Sequence, residues 1–368
     1  MLARRLSPSD LVALSLDELA GAVLLGPVRT ARSQMRKGTR LDAASAELLL
    51  AAARSGELAP VSLAWLEPGD LHEDQAAERL AAVVGGEGVL ASAPRQSRLD
   101  LTARWDGVVH VRVGELTRFN TLDALEVFTL YHGQSVSAGE KVASVKVAPH
   151  VVGGHLVKAG EAIAREAGPL VDVRPYLPLQ VGAIAEEALS AEGLDRFEAG
   201  VRRKVEALGS CFVGTALVSD PDPAVTERAA RRALVRAVRE RGLRVILVGG
   251  VSAGDPIAPF YAALESLGGR VLRRGVPAHP GSMIWLAELD GSRLLGLPQC
   301  GMFAMATAAD LILPRLLTGE ALTAADLAEL AHGGVLGPEM RFRFPAYARD
   351  LQAPDGGGAN HSAPDDIP

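Results

Sequence analysis

The sequence predicts an α/β protein: a three-layer domain built on a parallel sheet, preceded by an α+β N-terminal region and a small β-rich module. Three observations carry this expectation. Beyond Pro175–Pro178, short apolar runs alternate with helical patterns of roughly 10–15 residues, the rhythm of right-handed βαβ units. The run Val245 to Gly249 is apolar throughout and rich in β-branched residues, as a strand buried on both faces requires. Gly249, Gly250 and Gly254 then crowd its exit, where loss of Cβ lets backbone N–H groups close on an anion beside the Ser252 hydroxyl.

Taken in order, residues 1–132 form the α+β region. Asp42 is placed to cap a helix from Ala43 to Arg54, with Gly56 just past its end. Pro60 to Leu66 is a strand pattern, closed by Pro68-Gly69. Leu71 to Ala77 opens a helix that runs to about Val84; His72, Glu73 and Asp74 at its start make a polar cluster, although acids in a first helical turn ordinarily complement the dipole. Val89 to Val113 is strand-like, and Thr117 to Thr129 is expected as a loop and a strand. Residues 133–174 are expected as the small β-module, with short strands at Gly133–Val136, Gly139–Val147 and Val157–Gly160 between glycine turns.

Residues 175–320 are the main domain. Strands are expected at Gln180 to Ile184, Cys211 to Val218, Val245 to Gly249, near Val271, and at Arg293 to Leu297. Helices are expected across Phe197 to Leu208, Ala224 to Arg239 and Pro259 to Leu267. Ligands of such sheets bind outside the carboxyl ends of the strands, which directs attention to Ser219-Asp220, Gly249 to Asp255, and Pro298 onward. Residues 321–352 are a C-terminal extension, and residues 353–368, rich in Gly, Pro and Asp, are expected to be a disordered tail.

Composition narrows the function. At 368 residues and 48% hydrophobic content there is ample material for sizeable cores. A net charge of −6 argues against a nucleic-acid partner, and the arginines between Arg228 and Arg244 fall at helical spacing, as a solvated face would place them. Cys211 and Cys300 stand alone without CxxC spacing, which excludes a disulfide framework and a cysteine-based zinc site. No apolar h-region follows Arg4-Arg5 and no run of about 18 apolar residues occurs, so neither secretion nor a membrane partner is expected and the cytoplasm is the default.

Three clusters converge on one sheet edge: Gly249-Gly250-Val251-Ser252-Ala253-Gly254-Asp255, His279-Pro280-Gly281-Ser282-Met283, and Gly296-Leu297-Pro298-Gln299-Cys300-Gly301. In order and spacing they resemble the MoaB/Mog-like molybdopterin-binding fold shared by molybdopterin adenylyltransferases and molybdopterin molybdenumtransferases. In those families a GGVSxGD-type loop follows a central strand, a PGKP-type loop comes about thirty residues later, and an LPGNP-type turn ends a later strand. The match covers about residues 175–320, and Asp220 falls where the same families place an acidic residue. A subgroup of molybdopterin-binding proteins is more similar still, sharing the Leu71-His72-Glu73 helix opening, the pattern Asp310 to Leu317 and the His332-Gly333-Gly334 turn.

This resemblance implies molybdopterin as ligand or substrate, held by Gly249, Gly250, Val251, Ser252, Gly254, Pro280, Gly281, Ser282, Leu297 and Pro298. It implies Asp220 and Asp255 as the carboxylates for catalysis and for Mg²⁺. Molybdoenzymes or other cofactor-biosynthesis proteins are the implied partners, and relatives of this fold often form homo-oligomers. The departures are specific. Where molybdenumtransferases carry TGDE, this chain reads Val181 to Glu187 and keeps only the acidic character, in Glu186-Glu187. Ile257 replaces the second Asp of the GDxD pattern, His279 and Ser282 replace lysines, and Cys300-Gly301 replaces Asn-Pro. The lost cationic charge weakens the expectation of an insertase and leaves that of a binding scaffold.

Three functions are open at this level. One is a binding or carrier protein for molybdopterin or molybdenum cofactor. The second is a maturation enzyme, an insertase or nucleotidyltransferase working through Asp220, Asp255 and Mg²⁺. The third is an unrelated nucleotide-binding protein, against which stand the missing GxGxxG after the first strand and the missing P-loop lysine. Ser252 has no general base beside it in sequence and is assigned to hydrogen bonding, and Cys300 is expected to be a buried small hydrophobe rather than a nucleophile.

Overall fold

The computed structural model describes residues 1–349 apart from 31–32, 96, 298–301 and 303–305. Pro298, Cys300 and the expected disordered tail therefore lie outside the described residues. The chain divides into two units. The first comprises Met1–Trp105, Val109–His132 and Ser137–Val173; the second comprises Asp106–Val108, Gly133–Val136 and the chain from Arg174 onward.

The first unit is built from small antiparallel sheets with helices packed on them. Val61–Trp65 is flanked by Leu2–Leu6 and Val23–Leu24, and the helix Ala43–Arg54 closes a core with Leu11, Leu49 and Leu63. Asp42 caps that helix as the sequence requires, its carboxylate accepting from Ser45 N at 2.8 Å. A second sheet runs in the order Leu125–Thr129, Lys141–Val147, Arg98–Ala103, Val89–Ala91. At the start of the helix Glu73–Val84, His72 Nδ1 accepts from Asp74 N and its Nε2 bonds Gly38 O at 2.8 Å, while the buried Glu73 carboxylate pairs with His150 Nδ1. These bonds tie the turn at Gly38 and the loop at His150 to the helix start.

Two expectations in this unit are corrected. Val157–Gly160 lies inside the helix Gly154–Ala167, not in a strand. Its buried positions Val157, Gly160, Glu161 and Ala164 repeat at three and four residues, and a Cβ on Gly160 would stand 2.8 Å from the Phe119 ring. Gly160 is thus a close-packing glycine and not a turn. The expected loop from Thr117 is also helical to begin with, in Val113–Asn120, before the strand Leu125–Thr129.

The second unit carries the large sheet. Its strands are β1 (Gln180–Ala185), β2 (Cys211–Leu217), β3 (Val245–Gly249), β4 (Arg270–Arg274), β5 (Trp285–Leu289) and β6 (Ser292–Leu297), in the spatial order β2-β1-β3-β6-β5-β4. The first four in that order are parallel, and β5 and β4 extend the sheet antiparallel. The fold is thus mixed α/β, with a mostly parallel six-stranded sheet following several small antiparallel ones. β5, which follows a loop without its own helix, was not legible as a separate strand.

Both faces of β3 are buried, for opposite helix layers. Val245 and Leu247 join Val181, Ala183 and Ala185 against α1 (Ala191–Glu206) and α4 (Ala309–Leu317). Ile246 and Val248 join Ile184 against α2 (Pro223–Leu234) and α3 (Pro259–Ser266). Burying each Val, Leu or Ile contributes about 1.5–3 kcal/mol, so the packing of both layers holds this strand firmly. The α1 and α4 layer is locked by a buried ion pair: Lys204 Nζ donates to Asp310 Oδ1 at 2.6 Å, Tyr347 OH donates to the same oxygen at 2.9 Å, and Thr307 N donates to Oδ2 at 2.8 Å. Burial, first, and the Asp310 charge hold the Tyr347 hydroxyl well above the ordinary tyrosine range.

Candidate functional site at the carboxyl edge of the sheet

Parallel register decides which residues meet. Leu217 pairs with Ala185, Ala185 with Gly249, and Gly249 with Leu297, so four strands end in one row. The segments after the first three of these strands, at Asp220, Glu186 and Gly250, therefore leave the same edge of the sheet. Pro298, expected after β6, lies outside the described residues.

At the centre is the exit of β3. Gly249 has no room for a side chain: a Cβ would lie 2.8 Å from Met302 Cε and 3.3 Å from the Phe197 ring. Gly250 adopts φ +81°, and a Cβ there would lie 2.7 Å from both the backbone N and the Cβ of Glu187. The loop is then pinned from below. Val251 is buried and its carbonyl accepts from Trp285 Nε1 at 2.8 Å, while the Ser252 carbonyl accepts from Tyr261 OH at 3.2 Å. Ser252 Oγ accepts from Gly254 N at 3.1 Å, and Asp255 Oδ1 accepts from Ile257 N at 3.1 Å. Among the described residues nothing accepts from the backbone N–H of Val251, Ser252 or Ala253. Among the described residues, then, three successive backbone donors follow a positive-φ glycine without an acceptor, and such donors are chemically suited to an anion.

Glu186 stands beside this loop. Its N–H donates to Gly249 O at 3.0 Å, which fixes the chain directly against the β3 exit. Its carboxyl is pushed up to about 7, chiefly by burial and also by the Asp255 charge, while a hydrogen bond from the Phe260 backbone at the start of α3 pulls the other way. Glu186 Oε2 is buried with no hydrogen-bond partner among the described residues. A carboxyl raised toward neutral pH, within reach of the Asp255 charge and beside the glycine loop, can hold a proton or join Asp255 on a cation. Asp255 itself is exposed.

A cation is also at hand. Arg274 lies over the Tyr261 ring, its guanidinium carbon 4.7 Å from the centroid, and Tyr261 in turn holds the Ser252 carbonyl. Burial pushes the Tyr261 hydroxyl up to about 12, with the Arg274 charge opposing and Asp255 and Glu186 adding, so it stays a neutral donor.

The other expected residues are placed as follows. Asp220 is exposed and is bound into its own turn: Oδ1 accepts from Asp222 N at 2.9 Å, and its backbone exchanges bonds with Thr226 Oγ1. Pro280 O accepts from Ala308 N at 2.9 Å, and Gly281, at φ +115°, would bring a Cβ to 2.8 Å of that same nitrogen. This pair clamps the loop to the start of α4. His279 N donates to Gly334 O at 2.8 Å, and the carbonyl of His279 accepts from Leu336 N, which gives the His332-Gly333-Gly334 turn its contact. Ser282 is exposed and its carbonyl accepts from Val276 N at 2.9 Å. The first two motif loops do meet: a Cβ on Gly254 would touch Met283 Cε at 3.0 Å. Asp220, Asp255 and Glu186 do not themselves form a three-ligand cluster among the described residues, so a Mg²⁺ here needs oxygens from its ligand to complete its shell.

Glu186, Tyr261 and Arg274 are the residues that motif reading did not assign. A signal existed only for Glu186, the first ionisable residue after a buried strand running parallel to β3. Nothing local marks Tyr261 or Arg274, because their role depends on α3 and β4 packing beside the loop.

Neither protein-family models nor curated proteins give a match to this chain. Solved structures do. The molybdopterin biosynthesis MoeA protein from Pyrococcus horikosii is similar at 14% identity over 68% of this chain and 79% of its own, with a TM-score of 0.28. The molybdopterin biosynthesis enzyme MoaB from Thermus thermophilus is similar at 18% identity over 39% of this chain and 98% of its own, again at 0.28. A molybdenum cofactor biosynthesis protein B is similar at 13% identity, 39% and 96% coverage, and 0.28. Likenesses of this size concern the fold and carry nothing about ligand or reaction.

Proposed function

We propose that this protein binds molybdopterin, or a molybdenum-cofactor form of it, at the loop Gly249–Asp255, and acts in the biosynthesis or handling of that cofactor. The observation that supports this most is that, among the described residues, nothing accepts from the N–H groups of Val251, Ser252 and Ala253, in a loop whose carbonyls at Val251 and Ser252 are held by Trp285 and Tyr261. The ligand's phosphate suits those donors, and its flat pterin suits the adjacent surface formed by Met283 and the Pro280-Gly281 loop. Arg274 stands in for cationic charge that the lysines at positions 279 and 282 would have provided in the resembled families. Molybdoenzymes or proteins of cofactor assembly are the partners such a binder serves.

The test is direct titration of purified protein with molybdopterin. Saturable binding that weakens in Ser252→Ala and in Asp255→Ala supports the assignment; unchanged affinity in both variants refutes the site.

A second reading, turnover, is favoured by Glu186. A carboxyl poised near 7 beside Asp255 has the acid–base character of a working group rather than of a cap. It predicts Mg²⁺-dependent conversion of molybdopterin with ATP, or of adenylylated molybdopterin with molybdate, that falls by about 100-fold or more in Glu186→Gln. Binding without turnover in either assay leaves the carrier reading alone.

A further inference from the structure

A cleft of about 270 Å³ opens on the α2 face of the sheet, at mid-strand of β1 and β2 and the beginning of β3. It is away from the strand ends that carry the loop just described. Its floor combines apolar side chains, among them Ile184, Leu243 and Ile246, with small residues of β1 and β2. A Cβ on Gly182 would lie 2.7 Å from Leu243 Cδ1, so that position stays bare, and Gly214, at φ +103° where β1 and β2 shift register, has nothing within 4 Å of a Cβ position. The wall is Ala233 and Ala237, where α2 runs into the π-helical turn Val235–Glu240. Such turns widen a helix locally and recur at functional sites.

Two arginines, Arg236 and Arg241, complete the lining, and both are exposed. No aspartate or glutamate lines the cleft. Among the described residues neither guanidinium has a hydrogen-bond or ion-pair partner, whereas Arg239 of the same turn is engaged by Asp290 at 2.8 Å and by the Leu267 carbonyl. A solvated basic face accounts for Arg228, Arg231 and Arg232 on the open side of α2. It does not account for two charges, without a partner among the described residues, placed at a cleft whose lining is otherwise almost wholly apolar.

We propose that this cleft is a second binding site, for a small organic anion whose apolar or aromatic body lies on the Gly182–Gly214 floor and whose carboxylate or phosphate is held by Arg236 and Arg241. The volume, about 270 Å³, leaves room for a small ligand of one substituted ring. Guanidinium groups take either anion through paired N–H donors, so carboxylate and phosphate share the chemistry.

The experiment titrates the full chain with 4-phenylbutyrate and with phenyl phosphate, following amide shifts by NMR, with benzyl alcohol as the uncharged comparison. Saturable binding of at least one anion in the millimolar range or tighter is expected, with shifts at Gly182, Gly214 and Ala237, and the preferred anion tells which headgroup the site takes. Arg236→Gln/Arg241→Gln should weaken it at least about tenfold while leaving the melting temperature near that of the parent, since both side chains are exposed and unpaired. Ala237→Phe, which fills the cleft without touching charge, should weaken it as well. Absence of saturable binding by either anion, equal binding of benzyl alcohol, or unchanged affinity in the double arginine variant overturns the proposal. So does loss of the shifts in Ser252→Ala alone, which would place the anion at the strand-end loop.

Discussion

Strands β2 and β3 end in the same row of the sheet, and each is followed by a serine and an aspartate, yet their exits are used differently. After β2 the Asp220 carboxylate accepts from Asp222 N, the Asp222 carboxylate accepts from Ala224 N to start α2, and Thr226 Oγ1 closes on the Asp220 backbone. Those polar groups are satisfied by their own turn. After β3, Ser252 and Asp255 likewise serve their turn, but among the described residues three N–H groups have no acceptor and Glu186 adds a buried carboxyl oxygen without a hydrogen-bond partner. An acidic residue at a strand end is thus weak grounds for a site. What separates the two exits in sequence is Gly250, whose positive φ and close approach to Glu187 admit no side chain just before the three N–H groups.

Four substitutions would break or sharpen this contrast. Gly250→Val should have the largest effect: a β-branched residue at φ +81° with backbone 2.7 Å away should cost about 2–4 kcal/mol in denaturant unfolding. Molybdopterin affinity should fall by about 100-fold or more as the loop collapses; a variant that melts and binds like the parent would show that the glycine does not hold the loop open.

Glu186→Gln comes next, and its signature is pH. The folded carboxyl sits near 7 and the unfolded one near 4.5, so the folded state binds the extra proton between these values. The contribution of Glu186 to stability is therefore fully present below about 4.5 and is lost as pH rises through about 7. The parent should lose melting temperature relative to Glu186→Gln across that window, and parallel pH profiles for the two would remove Glu186 from the site. Mg²⁺ binding by the parent should strengthen over the same window as the carboxyl ionises.

Ser252→Ala removes one turn bond at Gly254 N and any contact from the hydroxyl to the ligand, and should weaken binding by about five- to tenfold, or about 1–1.5 kcal/mol, with little change in melting. Asp220→Asn is the smallest. Asparagine keeps an acceptor for Asp222 N, so stability should stay within about 0.5 kcal/mol and ligand affinity should not move. A large loss of affinity in that variant would show that Asp220 reaches the ligand after all, and that the two exits work together.

Much of this was legible in the chain. The alternation after Pro178, the doubly buried β3 and the capping role of Asp42 follow from burial period and local hydrogen bonding, which are properties of neighbours in sequence. Val157–Gly160 misled because valine, alanine and glycine suit a short strand as well as a tight helix contact. Only packing against Phe119 chooses between them. Asp220 looked equivalent to Asp255 for the same reason, since both follow an apolar strand and precede a helix.

The sequence by itself determined the central strand and its glycine exit, because positive φ and continuous apolarity are written residue by residue. Tertiary structure alone decided that Glu186 stands against Gly249, that Trp285 and Tyr261 pin the loop from below, and that Arg236 and Arg241 border a cleft rather than open solvent. Each of those depends on parallel register and on helices packed across stretches of chain tens of residues apart. There, distance in space is set by the whole core and not by any local pattern.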